Sequence, residues 1–106
     1  SVSGGLAYPI IDQIFANKAI IGVDGFSLSA GLTTPVVEEA ETTRQMIERT
    51  VGQVIVVATS NKIGVLSNFT TVEADHVDLL VTDKEAINLL SSEELQEKGI
   101  ELIIAQ

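Results

Sequence analysis

The sequence predicts an α/β domain with a parallel, Rossmann-like sheet flanked by helices, and three observations support this prediction. Two apolar runs, residues 19–23 and 54–58, are rich in β-branched side chains and continuous rather than alternating, as in strands covered on both faces. Segments with helical spacing separate these runs, and alternating strands and helices imply parallel crossovers. The 106 residues suffice for one domain with an aliphatic core, because 45% are hydrophobic and only 4% aromatic.

The first third of the chain is predicted to contain a helix, a strand and a long loop. Helical spacing runs over residues 6–15, where Pro9 falls in the first turn and its missing N–H costs nothing. Residues 19–23 form the strand. The glycines and small polar residues of Asp24-Gly25 and Ser29-Ala30-Gly31 indicate a turn-rich loop before the next helix.

A central helix is predicted to begin at Thr34-Pro35 and to end at Gly52. The Thr34 hydroxyl can cap the first turn, and Pro35 suits the first helical position. Acidic residues fill the first two turns, where the helix dipole favours negative charge. The stripe expected to face the core consists of Val36, Val37, Ala40, Ile47 and Val51.

The rest of the chain predicts further strands and a second, shorter helix. The strands are expected over residues 54–58, 77–81 and 100–105. The short helix begins at Glu93 and stops at Gly99. Two pairs have the spacing of capping boxes, Thr82 with Glu85 and Ser91 with Glu94.

Composition excludes several partners and kinds of site. The net charge is −9, from 15 acidic and 6 basic residues, so this chain repels duplex DNA and anionic membranes. It has no cysteine, and the single histidine, His76, has no metal-ligand partner at a sensible spacing, so we expect no metal and no cofactor. Without a membrane-length apolar run or a signal peptide, a cytoplasmic location is expected. Because the chain begins with Ser1 instead of Met, we expect a segment of a longer protein.

Two loops are expected to meet at the carboxyl edge of the sheet, where ligands bind in parallel α/β folds. One follows residue 23 and holds Asp24, Gly25, Thr33 and Thr34. The other follows residue 58 and holds Lys62. Such loops offer backbone N–H groups and a cation to an anion.

Each of these features also has an ordinary structural interpretation. Asp24-Gly25 can be a plain turn, and Thr34 a plain helix cap. Lys62 can be a solvated side chain. Glu41 and Arg44, three residues apart on a helix, can form a surface ion pair.

Several blocks of the sequence, in order, resemble the sensor domain of DeoR-type bacterial transcriptional regulators. The blocks are GVDG at 22–25, GLTTP at 31–35, EEAE at 38–41 with Arg44 and Met46-Ile47, and VIVVA at 54–58 with Ser60 and Lys62. The later segments VTD at 81–83 and GIE at 99–101 are also similar. The resemblance covers nearly the whole chain.

The resemblance implies a fold related to ribose-5-phosphate isomerases and CoA transferases. It also implies that the domain binds a phosphorylated sugar or related metabolite, and that an N-terminal winged helix-turn-helix, absent from this sequence, binds DNA. Residues 1–106 would then be a partial sensor domain, which lacks a preceding unit with a threonine-rich phosphate loop. Such regulators are expected to form homo-oligomers.

Residue by residue, the resemblance implies a ligand site. Asp24 matches a loop acid that faces the sugar in the isomerase relatives, and Lys62 matches a lysine after the next strand. The full set of expected ligand-binding residues is Asp24, Gly25, Thr33, Thr34, Glu41, Arg44 and Lys62. Thr43, Thr59 and Asn61 replace the usual Lys, Asp and Ser, which implies altered effector selectivity or degenerate binding.

Three functions are compatible with these residues. The preferred one is an effector sensor that catalyses nothing. The second is an oligomerisation module with weak or lost ligand binding. The third is a sugar-phosphate isomerase, which is disfavoured because Gly25 stands where those enzymes carry a second acid, and a helix replaces their glycine-rich loop.

Overall fold

The computed structural model describes residues 16–105 of the chain. The strands are β1 (Ala16–Gly22), β2 (Gly25–Ser27), β3 (Gly31–Thr34), β4 (Thr50–Val57), β5 (Phe69–Val72), β6 (Leu79–Asp83) and β7 (Glu101–Ala105). The α-helices are α1 (Val37–Glu48) and α2 (Ser92–Glu97), and short 3₁₀ helices span Ser60–Lys62, Ala74–His76 and Lys84–Leu89. The helix predicted over residues 6–15 lies outside the described residues.

The predicted parallel sheet is confirmed. Its strands lie in the order β1-β4-β6-β7, and every neighbouring pair is parallel. Ile21, Val56 and Leu80 stand in register on the neighbouring strands β1, β4 and β6. All four strands therefore end at one edge, which is the edge where a ligand site is expected.

A second sheet replaces the plain loop predicted after residue 23. Strands β2 and β3 form an antiparallel hairpin, and β5 pairs antiparallel with β3. Gly31 begins β3 at φ +77°, a conformation that only glycine adopts easily, and the Ala30 N–H donates to Ser27 Oγ at 3.0 Å in the turn. The loop prediction was wrong because these strands of three or four residues are too short to show a period.

One face of the parallel sheet packs against the second sheet and the helices to form the core. Phe26, Leu32, Val56, Val77 and Leu80 are almost completely buried there. The core is largely aliphatic, as the composition predicts. Its other buried members include Ala19, Ile21, Ile47, Val54, Ile63, Val72, Ala86, Leu95 and Ile100.

The opposite face of the parallel sheet is exposed in the described part of the chain. Ile20 is 70% exposed, and Val57 and Ile103 are each 45% exposed. These side chains alternate with the buried ones along their strands. The prediction that both faces are covered was therefore wrong for residues 16–105.

Helix α1 is shorter than predicted. Thr34 belongs to β3, and Val36 occupies the N-cap position in an extended conformation. The helix stops at Glu48, and Gly52 lies inside β4. Its buried residues are Ala40, Thr42, Gln45 and Ile47, whereas Val36, Val37 and Val51 of the predicted stripe are exposed.

The N-cap hydrogen bond is present at one of the two predicted capping boxes. Ser91 Oγ accepts from the Glu94 N–H at 3.3 Å at the start of α2. Thr82 does not cap a helix, because it is buried within β6. The next residue, Asp83, caps the following 3₁₀ helix by accepting from the Glu85 N–H at 3.0 Å.

Candidate functional site

The two candidate loops leave the parallel sheet at the same edge. Gly22 pairs with Val57, so β1 and β4 end side by side. Asp24 follows β1, and Thr59 follows β4. The sheet register therefore places both loops above neighbouring strands, as the sequence analysis expects.

A cavity of about 430 Å³ lies between β1 and α1, and this volume is in the usual range for a small-molecule site. It is lined by Ile20, Ile21, Gly22, Val23, Asp24, Glu39, Thr42, Thr43 and Met46. A smaller space of about 40 Å³ adjoins it and adds Leu32, Thr33, Thr34 and Thr71 to the lining. Acidic and hydroxyl side chains thus meet apolar ones in this cavity.

Thr34 links the two acids of the cavity. Its hydroxyl lies 3.0 Å from Asp24 Oδ2 and 3.2 Å from Glu39 Oε2, so it can donate to either carboxylate. It also accepts from the Val36 N–H at 3.3 Å, which fixes its position before α1. Consecutive strand residues point to opposite faces, so Thr33 points away from this pair.

Glu39 is a site residue that the sequence analysis missed. The sequence analysis selected Glu41 instead, because Glu41 matches the family pattern. On a helix these two residues point about 200° apart, so only one of them can face β1. Glu39 lines the cavity, whereas Glu41 is exposed on α1. The spacing between Glu39 and the buried residues of α1 is present in the sequence and could have indicated the position of Glu39, but the prediction did not use it.

Thr33 and Gly25 hold the segment around residue 66 against the hairpin. Thr33 Oγ1 accepts from the Ser67 N–H at 3.0 Å and lies 3.5 Å from the Val65 carbonyl oxygen. A Cβ on Gly25 would lie 2.6 Å from Thr33 Oγ1 and would overlap the Val65 carbonyl. Gly25 is therefore required for close packing.

Arg44 is placed by hydrogen bonds to strand β5. Its Nε donates to the Thr71 carbonyl at 2.8 Å, and its Nη2 donates to the Thr70 carbonyl at 2.9 Å. These bonds fasten α1 beside β5 and hold Thr71, which lines the smaller space. Arg44 itself lies outside the lining of the cavity.

Lys62 lies in the loop after β4 and does not line the cavity. The Gly64 N–H donates to the Phe26 carbonyl at 2.7 Å, and Ile63 pairs with Phe26, so the loop lies beside β2. The structure therefore brings Asp24 and Thr34 together and places Lys62 in the loop beside β2, outside the cavity lining.

Asp83, which the sequence analysis did not select, anchors the Lys62 loop. Its Oδ2 accepts from the Ser60 N–H at 2.8 Å, while its Oδ1 caps the next 3₁₀ helix. The hydrogen bond from the Ser60 backbone is the main reason that the pKa of Asp83 lies below its usual value of 3.8. The loops after β4 and β6 are thereby tied together.

Two negative findings apply to residues 16–105. No cluster of three or more His, Cys, Asp or Glu side chains in this range could hold a metal ion. No helix in this range is long and apolar enough to cross a membrane. His76 is exposed in its 3₁₀ helix.

A family model for the DeoR C terminal sensor domain matches residues 1–84. The chain belongs to this family. The matched range contains all seven sequence-predicted ligand residues together with Glu39, Asp83 and the cavity lining. The last helix and strand of the sensor domain, α2 and β7, lie beyond it.

Two curated relatives match the sensor domain. One is the HTH-type transcriptional regulator GolR of Listeria innocua, 29% identical over 106 residues, which are all of this chain and 41% of the relative. Another is the HTH-type transcriptional repressor GlcR of Bacillus subtilis, 34% identical over 96 residues, which are 91% of this chain and 36% of the relative. The chain thus spans about two fifths of the length of these regulators.

Proposed function

We propose that this sensor domain binds a phosphorylated sugar or a related metabolite between β1 and α1. Binding then controls the affinity for DNA of a helix-turn-helix domain elsewhere in the protein. The observation that carries the proposal is the position of Asp24. It lies at the carboxyl end of β1, hydrogen-bonded to Thr34, on the wall of a cavity of ligand size.

Some of the expected ligand residues are proposed to contact the ligand, and others are not. Asp24 and Thr34 line the two adjoining spaces and are proposed to contact the ligand's hydroxyl groups. Lys62 is proposed to meet the phosphate from the loop after β4. Three residues are proposed to act indirectly. Gly25 and Thr33 act through the segment at residue 66, and Arg44 acts through β5. Glu41 is proposed to make no contact with the ligand.

The energies involved are large enough for regulation. A hydrogen bond to a charged group contributes about 1.5–3 kcal/mol. A ligand that makes one more such bond in the DNA-free state than in the DNA-bound state would shift the equilibrium about tenfold or more. A single lost contact at Asp24 should therefore be measurable.

The test uses the full-length regulator and a panel of sugar phosphates with four to seven carbons. Calorimetry measures binding, and fluorescence anisotropy measures release of operator DNA. Asp24→Asn should weaken the tightest panel ligand about tenfold or more. Asp75→Asn, an exposed residue of another loop, is the matched control and should bind as the wild type does. Wild-type affinity in Asp24→Asn, or no binding of any panel member to the wild type, would refute the proposal.

A second candidate is a module that mainly mediates oligomerisation, favoured by the exposed apolar face around Val57 and Ile103. Sedimentation of the full-length regulator with Ile103→Lys tests it, since a lower oligomeric state would support this role. We further propose a cytoplasmic, non-enzymatic domain with no cofactor. Turnover of a pentose phosphate would contradict the non-enzymatic part.

A further inference from the structure

On the basis of the function proposed above, we propose that Asp24, Glu39 and Thr42 bind the uncharged, hydroxyl-bearing end of the effector. This assigns Glu39 as a specificity-determining residue. It also fixes the direction of the ligand, with its phosphate pointing away from α1.

The first observation is a shortage of donors between the two acids. Asp24 Oδ2 and Glu39 Oε2 both lie within 3.2 Å of the Thr34 hydroxyl oxygen. A hydroxyl carries one proton, so it donates to only one carboxylate at a time. The other carboxylate therefore has an unused acceptor at the cavity wall. The hydroxyls of a ligand are donors of the right strength and size to use it.

The second observation is the neighbouring Thr42. Its side chain is only 6% exposed, yet it lines the cavity one helical turn after Glu39. Its hydroxyl takes part in no hydrogen bond between residues of the described part of the chain. A ligand hydroxyl in the cavity, which both donates and accepts, would give the Thr42 hydroxyl a partner.

Charge sets the direction of the ligand. Among the described residues, no Lys or Arg lines either space, while Asp24 and Glu39 line both. A phosphate placed there would meet two carboxylates at close range, which is repulsive in a partly enclosed site. Lys62 lies outside this lining, in the loop beside β2. The phosphate is therefore expected on the Lys62 side and the hydroxyls beside α1.

The test uses calorimetry on the full-length regulator with the tightest sugar phosphate of the panel. Glu39→Gln keeps the side-chain size but removes the charge, and should weaken binding about tenfold. Thr42→Val should weaken it roughly threefold to tenfold. Glu38→Gln, an exposed residue in the same first turn, is the control and should leave binding unchanged. Glu41→Gln should also leave it unchanged.

Three further ligands locate the subsite. Inorganic phosphate should compete equally well in the wild type and in Glu39→Gln. Deoxy analogues, each lacking one hydroxyl, should bind the wild type more weakly. The analogue whose missing hydroxyl contacts Glu39 should lose no further affinity in Glu39→Gln, as in a double-mutant cycle. Amino analogues that replace a hydroxyl at this end by an ammonium group should bind at least as tightly as the parent sugar phosphate, because Asp24 and Glu39 attract the cation.

The outcomes separate this inference from the proposed function. If the panel binds and Asp24→Asn weakens binding while Glu39→Gln does not, the inference is overturned and the function stands. Loss of phosphate competition in Glu39→Gln, or weaker binding of the amino analogues than of the parent sugar phosphate, also overturns it. If no panel member binds the wild type, both fall.

Discussion

Replacing Arg44 tests how helix α1 is held beside strand β5. The perturbation is Arg44→Met, which keeps the apolar stem and the helix propensity but removes the guanidinium. Two hydrogen bonds to β5 disappear, from Nε to the Thr71 carbonyl and from Nη2 to the Thr70 carbonyl. The prediction concerns stability, because Arg44 contacts backbone and does not line the cavity.

The two bonds contribute unequally. The bond to Thr71 is partly buried, and a hydrogen bond to a charged group contributes about 1.5–3 kcal/mol. The bond to Thr70 is exposed and is screened by water, so we assign it less than about 1 kcal/mol. The free energy of unfolding should fall by about 2–3 kcal/mol in total. Arg44→Lys should lose about half of that, since an ammonium lacks the planar fork that reaches both carbonyls.

The assay is urea unfolding of the chain followed by circular dichroism, with hydrogen exchange of the β5 amides as a local readout. The midpoint should fall by roughly 1–2 M urea in Arg44→Met. Lys84→Met, at an exposed basic residue outside α1, is the control and should shift the midpoint little. A shift in Arg44→Met no larger than the control, with β5 exchange unchanged, would show that these bonds do not stabilise the fold.

Two further predictions concern the loops around the site. Gly25→Ala should lower the free energy of unfolding by about 1–3 kcal/mol, because its Cβ would overlap the Val65 carbonyl. The control is Gly22→Ala, whose Cβ meets nothing within 4 Å and which should change the free energy of unfolding little in the same urea assay. Equal effects of the two substitutions would contradict the packing role of Gly25. Asp83 has a lowered pKa in the folded state, so its stabilising contribution is present above the unfolded pKa and is lost as pH falls through the folded value. The difference in unfolding free energy between the wild type and Asp83→Asn should therefore be constant above about pH 5 and should shrink when the urea titrations are made at lower pH. A difference that grows on acidification would contradict the lowered pKa of Asp83.

The site residues show which features a local sequence pattern can predict and which it cannot. The position of Asp24 after a strand could be predicted, because turn signals are properties of neighbouring residues. The cap signal at Thr34 did not place the helix start, because pairing with β5 holds Thr34 in β3. The choice between Glu39 and Glu41 required the rotation of α1 about its axis, which packing against β1 and β5 decides. The hydrogen bonds of Arg44 likewise required knowledge of β5, a strand too short to be predicted.

The sequence by itself determined the parallel sheet, because segments with helical spacing separate its β-branched runs, and strands joined through helices lie parallel. It also determined the order of the strands along the chain and the edge at which the loops lie. Tertiary structure decided which side chains meet at that edge. The pairing of β3 with β5 joins residues about 40 positions apart, such as Leu32 and Val72. Such contacts depend on packing between segments distant in sequence, which no local period records.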